Sequence, residues 1–215
     1  FSTCTRPCNP HRLSIHPSIP HINHVTRIEG LSFPNLHCLL FFGDRPTLLE
    51  ESSYKFLLCK LLRVLDLRNC SYPTLSFPRE VVFLVHLRYL RIRNFLGNIP
   101  SAIAALSRLE TFAVEGNPRR YLLPNTIWNI KTLRHLVTSE FGGGFIFPID
   151  GLEGSPDLKH LDTLTLAIEA PPQNLQKILS KLPSIRRLTI TSVGNHGGIL
   201  VLNYLSRLES LKIRR

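Results

Sequence analysis

Apolar residues in this chain recur in a short phrase, Leu-x-x-Leu-x-Leu, in which Ile, Val, Phe or Thr sometimes replaces a leucine. The clearest copies are Leu62, Leu65, Leu67; Leu87, Leu90, Ile92; Leu109, Phe112, Val114; Leu161, Leu164, Leu166; Ile185, Leu188, Ile190; and Leu208, Leu211, Ile213. Weaker copies stand at Leu36, Leu39, Phe41 and at Leu133, Leu136, Thr138, while Leu13 and Ile15 read as the end of a degenerate first copy. The last two apolar residues of a copy share one face of a short strand, because successive strand side chains alternate, and the first turns inward just before it. One such unit cannot bury its apolar face alone. Stacking pairs each strand in parallel with the next and encloses a continuous core.

The copies recur about every 25 residues, a period and pattern typical of leucine-rich repeats. Three return segments are especially regular: Phe77-Pro78 then Val81, Leu84, Leu87; Ile99-Pro100 then Ile103, Leu106, Leu109; and Leu123-Pro124 then Ile127, Ile130, Leu133. Spacing of three predicts a short helical turn, which proline opens well because its φ is already fixed and its missing donor would be unpaired there anyway. The predicted fold is therefore α/β: a leucine-rich-repeat solenoid, or horseshoe, with a parallel concave sheet and short helical or irregular turns on the convex side. Residues 1–30, rich in Pro and His, read as an irregular N-terminal cap, and residues 31–215 as the repeat domain. Residues 142–157, opening on Gly142-Gly143-Gly144, read as a longer, flexible inter-repeat loop. The chain stops at Arg215 directly after a strand, with no polar capping element, so truncation of the solenoid at the C-terminus is expected.

Charge narrows the partners. Lys and Arg number 26 against 15 Asp and Glu, a formal charge of +11 and a pI near 9.9, which favours acidic partner surfaces. The basic residues are scattered and carry no aromatic RNA-binding or zinc-finger signature, so no nucleic acid is expected. The longest apolar runs, such as residues 36–42, fall far short of the roughly 20 residues that span a bilayer, so no transmembrane segment is predicted. The start at Phe1, without a signal peptide's charged and apolar stretches, suggests an internal fragment. Five cysteines, an odd number in no dense framework, fit a reducing compartment, which favours a cytoplasmic setting.

Candidate chemistry is thin. Cys4, Cys8, His11, His16, His21 and His24 crowd the N-terminus, but their spacing matches no zinc finger or ribbon, and prolines at 7, 10 and 17 prevent the helix that usually presents paired histidines; no metal is expected. The glycine run lacks the Lys-Ser or Lys-Thr of a phosphate-binding loop, and no G-x-S-x-G, H-E-x-x-H or dinucleotide fingerprint occurs, so neither a catalytic residue nor a cofactor is predicted. Cys70 takes the inward Asn-or-Cys position of its repeat, and Asn69-Cys70-Ser71 forms a lone glycosylation sequon.

The predicted functional surface is the ladder of outward residues flanking the strand leucines. Along successive strands it reads Val64, Asp66, Arg68; Tyr89, Arg91, Arg93; Thr111, Ala113, Glu115; His135, Val137, Ser139; Arg187, Thr189, Thr191; and Ser210, Lys212, Arg214. The partner-binding set is Asp66, Arg68, Tyr89, Arg91, Arg93, Glu115, His135, Arg187, Lys212 and Arg214. Among them Arg68, Arg91, Arg93, Arg187 and Lys212 suit an acidic protein surface, because guanidinium groups bind carboxylates bidentately.

Leu-Leu-Arg-Val-Leu-Asp-Leu at 61–67, followed by Phe-Pro-x-x-Val-x-x-Leu-x-x-Leu-Arg-Tyr-Leu at 77–90, resembles plant nucleotide-binding leucine-rich-repeat disease-resistance proteins. Arg-Leu-Ser-Ile-His at 12–16, Leu-Pro-x-x-Ile-Trp-Asn-Ile at 123–130 and Leu-Arg-His-Leu at 133–136 are similar to that family too, particularly its coiled-coil class. The resemblance implies a repeat domain that senses pathogen effectors or guarded host proteins and restrains a nucleotide-binding switch, in the cytoplasm or peripherally at the plasma membrane. The chain has no P-loop of its own, so the switch itself would lie elsewhere. Two alternatives use the same surface. Leu96-Gly97-Asn98-Ile99-Pro100 resembles the L-x-G-x-I-P signature of extracellular plant receptors, and a substrate-recognition arm of a ubiquitin ligase is the other.

Overall fold

The computed structural model describes residues 10–15, 33–42, 47–48, 59–71, 77–93, 98–115, 120–138, 143–150, 152–168, 172–192 and 205–214. In chain order the strands are β1 (Arg12–Ile15), β2 (Cys38–Phe41), β3 (Thr47–Leu48), β4 (Val64–Leu67), β5 (Cys70–Ser71), β6 (Tyr89–Arg93), β7 (Thr111–Glu115), β8 (Tyr121–Leu122), β9 (His135–Thr138), β10 (Phe145–Ile146), β11 (Thr163–Ile168), β12 (Arg187–Ser192) and β13 (Ser210–Arg214). Nine of them, one for each predicted copy, pair in parallel in the order β1, β2, β4, β6, β7, β9, β11, β12, β13 and line the concave side of the solenoid. The degenerate first copy is included: β1 pairs residue for residue with β2 over its whole length.

Register follows from the leucines. Leu65, Leu90, Phe112, Leu136, Leu164 and Leu188 stand opposite one another through consecutive strands, all buried, and Leu67, Ile92 and Val114 form a second inward row. Leu62, Leu87, Leu109, Leu133, Leu161 and Ile185 close the core from just before each strand. A slip of one residue would move each row of leucines from the core to solvent, which is why the register is strongly specified.

The three regular return segments form 3-10 helices at Arg79–Phe83, Ser101–Ala105 and Asn125–Asn129, each preceded by an extended proline, Pro78, Pro100 or Pro124. Their inward residues Val81, Ile103 and Ile127 are fully buried. A later return segment differs, because α1 (Pro172–Ser180) is a true α-helix. Its buried Leu175, Ile178 and Leu179 follow the i, i+3, i+4 spacing of an amphipathic helix, with Leu182 buried just beyond it.

The glycine run departs from its predicted role as a flexible loop. Gly143 and Gly144 lead into β10, which pairs with β8 and places Phe145 opposite Leu166 of β11. The sheet forks here: β9 pairs in register with β11 at His135 and Leu136, the Thr138 N–H then donates to the Thr165 hydroxyl at 3.3 Å, and β10 pairs with β11 at Leu166. Gly144 is buried so closely against β11 that an added Cβ would lie 2.6 Å from the Leu166 carbonyl carbon and 2.9 Å from Thr191 Oγ1. The glycine is needed for close approach of two backbones, a use that its sequence surroundings do not distinguish from flexibility.

Candidate protein-binding face

Three outward rows cross the concave sheet, fixed by the strand register. The first runs Arg12, Cys38, Val64, Tyr89, Thr111, His135, Thr163, Arg187, Ser210. The second runs Ser14, Leu40, Asp66, Arg91, Ala113, Val137 across β1 to β9, and continues through Thr189 and Lys212 on β12 and β13 with Thr165 on β11. In the third, Arg93 stands opposite Glu115, and Ala167, Thr191 and Arg214 follow on the last three strands. The structure thus gathers the ten predicted residues onto one face, except that Arg68 sits in the turn just after β4 and the Glu115 side chain lies outside the described set, as do Ser139, Cys4, Cys8, His16, His21 and His24.

The ten are not equivalent. Asp66 is only 3% exposed and accepts three bonds from the Arg68 guanidinium, Nη2 to Oδ2 at 2.6 Å and Nε to Oδ2 at 3.0 Å and to Oδ1 at 3.2 Å, and one from the Arg68 backbone N–H. Its chemistry is to hold Arg68 against β4, because a buried carboxylate needs a paired, hydrogen-bonded cation. Tyr89, Arg91 and Arg93 are half-buried on β6, and Arg187 and Lys212 are exposed on β12 and β13, with Arg214 half-buried beside them.

His135 and Arg187 converge on two residues that sequence reading passed over, Asp162 and Thr163. Arg187 donates through Nη2 to Asp162 Oδ2 at 3.1 Å and through Nε to Thr163 Oγ1 at 3.2 Å. The Thr163 hydroxyl donates to Asp162 Oδ2 at 3.0 Å, so His135 Nδ1, 3.1 Å from Thr163 Oγ1, is the donor toward that hydroxyl oxygen. Burial pushes the His135 imidazole below its ordinary value, against the pull of Asp162. At Asp162 burial acts upward, but the hydrogen bonds from Thr163 and Arg187 and the charges of Arg187 and His135 outweigh it and hold the carboxyl below its usual range.

Asp162 belongs to a further row, one position before each strand: His11, His37, Arg63, Arg88, Glu110, Arg134, Asp162, Arg186, Glu209. Backbone N–H to carbonyl bonds link each of these to its predecessor. From Arg88 onward the charges alternate, with Arg88 to Glu110 at 2.9 Å, Arg186 to Asp162 at 3.5 Å and Arg186 to Glu209 at 3.2 Å. At the other end, His11 and His37 rings lie 5.2 Å apart, and burial together with Arg63 and His11 lowers the His37 imidazole. The sequence signal for this row was available: it is the residue directly after the first leucine of each copy.

Among the described residues no group of three His, Cys, Asp or Glu side chains could hold a metal ion, and no helix is long and apolar enough to cross a membrane. Cys59 and Cys70 are buried thiols and Cys38 is half-buried; burial pushes all three above their ordinary values, Cys70 furthest.

The family described as a leucine-rich repeat region matches residues 40–215, which covers most of the chain. The chain belongs to the leucine-rich repeat family. Its repeats are similar to those of plant disease-resistance proteins, as the sequence resemblance implied. A late blight resistance protein homolog, R1B-16 of Solanum demissum, is 35% identical over 73% of this chain, and the late blight resistance protein R1-A of the same plant is 32% identical. The chain spans 12% of the length of these relatives. Among solved structures, internalin C2 of Listeria monocytogenes aligns with a TM-score of 0.56 at 15% identity, covering 84% of this chain and 72% of that one. The plant peptide hormone receptor RGFR1, solved in complex with RGF2, aligns at 0.56 and 18% identity over 94% of this chain and 31% of that one. These two likenesses show the solenoid fold. Leucine-rich repeat domains are typically non-enzymatic and mediate protein–protein interaction.

Proposed function

We propose that this chain is the partner-reading repeat domain of a plant immune receptor. Its concave face binds a pathogen effector, a guarded host protein or the receptor's own nucleotide-binding domain through an acidic surface, and so regulates a nucleotide-binding switch in the defence response. The observation that carries this reading is the placement of Arg91, Arg93, Arg187, Lys212 and Arg214 on one face, built on repeats similar to those of late blight resistance proteins. A cytoplasmic setting, or one peripheral to the plasma membrane in the full-length protein, goes with that role. The lone sequon adds little support for secretion, since the Asn69 amide donates to the Phe41 carbonyl at 3.2 Å beside the buried Cys70.

The test is a full-length receptor carrying Arg91→Glu, Arg187→Glu and Lys212→Glu together, expressed in leaf tissue and challenged with the pathogen. Loss of the cell-death response, or its onset without challenge, is the expected result. A response indistinguishable from the unaltered receptor, at equal protein level, would overturn the assignment.

A further inference from the structure

The cations on the concave face are not spread evenly. In the second outward row Arg91 stands on β6 and Lys212 on β13, and the four strands between them contribute Ala113, Val137, Thr165 and Thr189, with no charge. The third row repeats this at its ends, with Arg93 on β6, Arg214 on β13, and Ala167 and Thr191 between, although Glu115 stands next to Arg93. On the N-terminal side, Arg68 in the turn after β4 pairs with Asp66, which stands opposite Arg91 in the register.

Between the two basic ends, half-buried Val137 and Thr189 offer a bound chain an apolar and a hydroxyl contact, with the buried, uncharged Ala113, Thr165 and Ala167 beside them. Five inter-strand steps separate β6 from β13, about 24 Å at the usual spacing, and an extended chain rising about 3.4 Å per residue crosses that distance in roughly seven residues.

Resting on the concave-face reading above, we propose that the partner element is an extended acidic peptide segment lying across the strands. It carries one acidic cluster over Arg91 and Arg93, a second over Lys212 and Arg214, and about six uncharged, small or β-branched residues between them. The spacing of the acids, and not their number alone, is what the face reads.

Two fluorescein-labelled peptides of identical composition test this by anisotropy against the 215-residue chain. One has a pair of aspartates at each end of an Ala-Ser-Val-Ser-Val-Ala centre; the other has all four aspartates together in the middle. The split peptide is expected to bind about tenfold more tightly, the loss of one pair of end contacts in the clustered peptide corresponding to roughly that factor. Arg91→Glu and Lys212→Glu should each abolish the preference, while Lys131→Glu, in the turn before β9, leaves it intact, with folding checked by circular dichroism. Equal binding of the two peptides, weakened alike by the reversals, would leave a basic concave face standing and overturn the spacing. Binding indifferent to the reversals would overturn both. No binding of either peptide overturns the spacing as well.

Discussion

Leu90 is fully buried between Leu65 and Phe112 in the inward row, so truncating it removes contacts to both neighbouring repeats. Leu90→Ala is expected to cost about 2–5 kcal/mol through lost burial and the cavity left behind. Urea unfolding measures it, and a change near zero would contradict the inward placement. Gly144 fails in the opposite direction. The methyl of Gly144→Ala would meet backbone atoms of Leu166 and Ala167, which cannot rotate away, so about 1–3 kcal/mol of destabilisation is expected from overpacking. A neutral or stabilising effect in the same denaturation series would mean that the fork is looser than described. The leucine was legible from the repeat phrase; the glycine was not, because close backbone approach leaves no mark in neighbouring sequence.

At the scale of elements, the Asp162, Thr163, His135 and Arg187 cluster joins β9, β11 and β12. The carboxyl of Asp162 is held below its unfolded value, so its contribution to stability is complete above about pH 4 and is lost as pH falls through the folded value. His135 acts in the same sense over a higher range: its imidazole is held low in the folded state, so stability is complete above about pH 6.5 and declines below it. Asp162→Asn should therefore lower the melting temperature at pH 7, with the difference from the unaltered chain shrinking as pH falls below about 4. A difference independent of pH would assign the effect to packing alone. The alternating row from Arg88 to Glu209 was readable in principle, since the repeat phrase fixes each position, but only the stack shows that these residues meet one another. The α-helix at Pro172–Ser180 was readable too, from Leu175, Ile178 and Leu179, yet it broke the spacing of three set by the other return segments.

At the scale of the molecule, each repeat is held by its neighbours, so protection should follow the number of strands that flank it. Strand β6 lies between β4 and β7, whereas β13 pairs only with β12 among the described residues, and its Leu211 and Ile213 are 38% and 56% exposed where Leu188 and Ile190 are buried. Amide hydrogen exchange should be slowest in β6 and β7 and fastest in β13. Protection of β13 equal to that of β6 would show that its outer side is covered in solution.

The sequence by itself determined the solenoid, the nine strands and the face each residue presents, because a two-residue alternation anchored by leucines leaves only one register that buries them. It also fixed which residues stand outward. The tertiary structure decided what those outward residues do. It turned Asp66 into the buried anchor of Arg68, drew His135 and Arg187 onto Asp162 and Thr163, and forked the sheet at Gly144. These outcomes depend on which side chains of different repeats lie within hydrogen-bonding reach across a strand spacing of about 4.8 Å, a distance that exists only once the repeats are stacked.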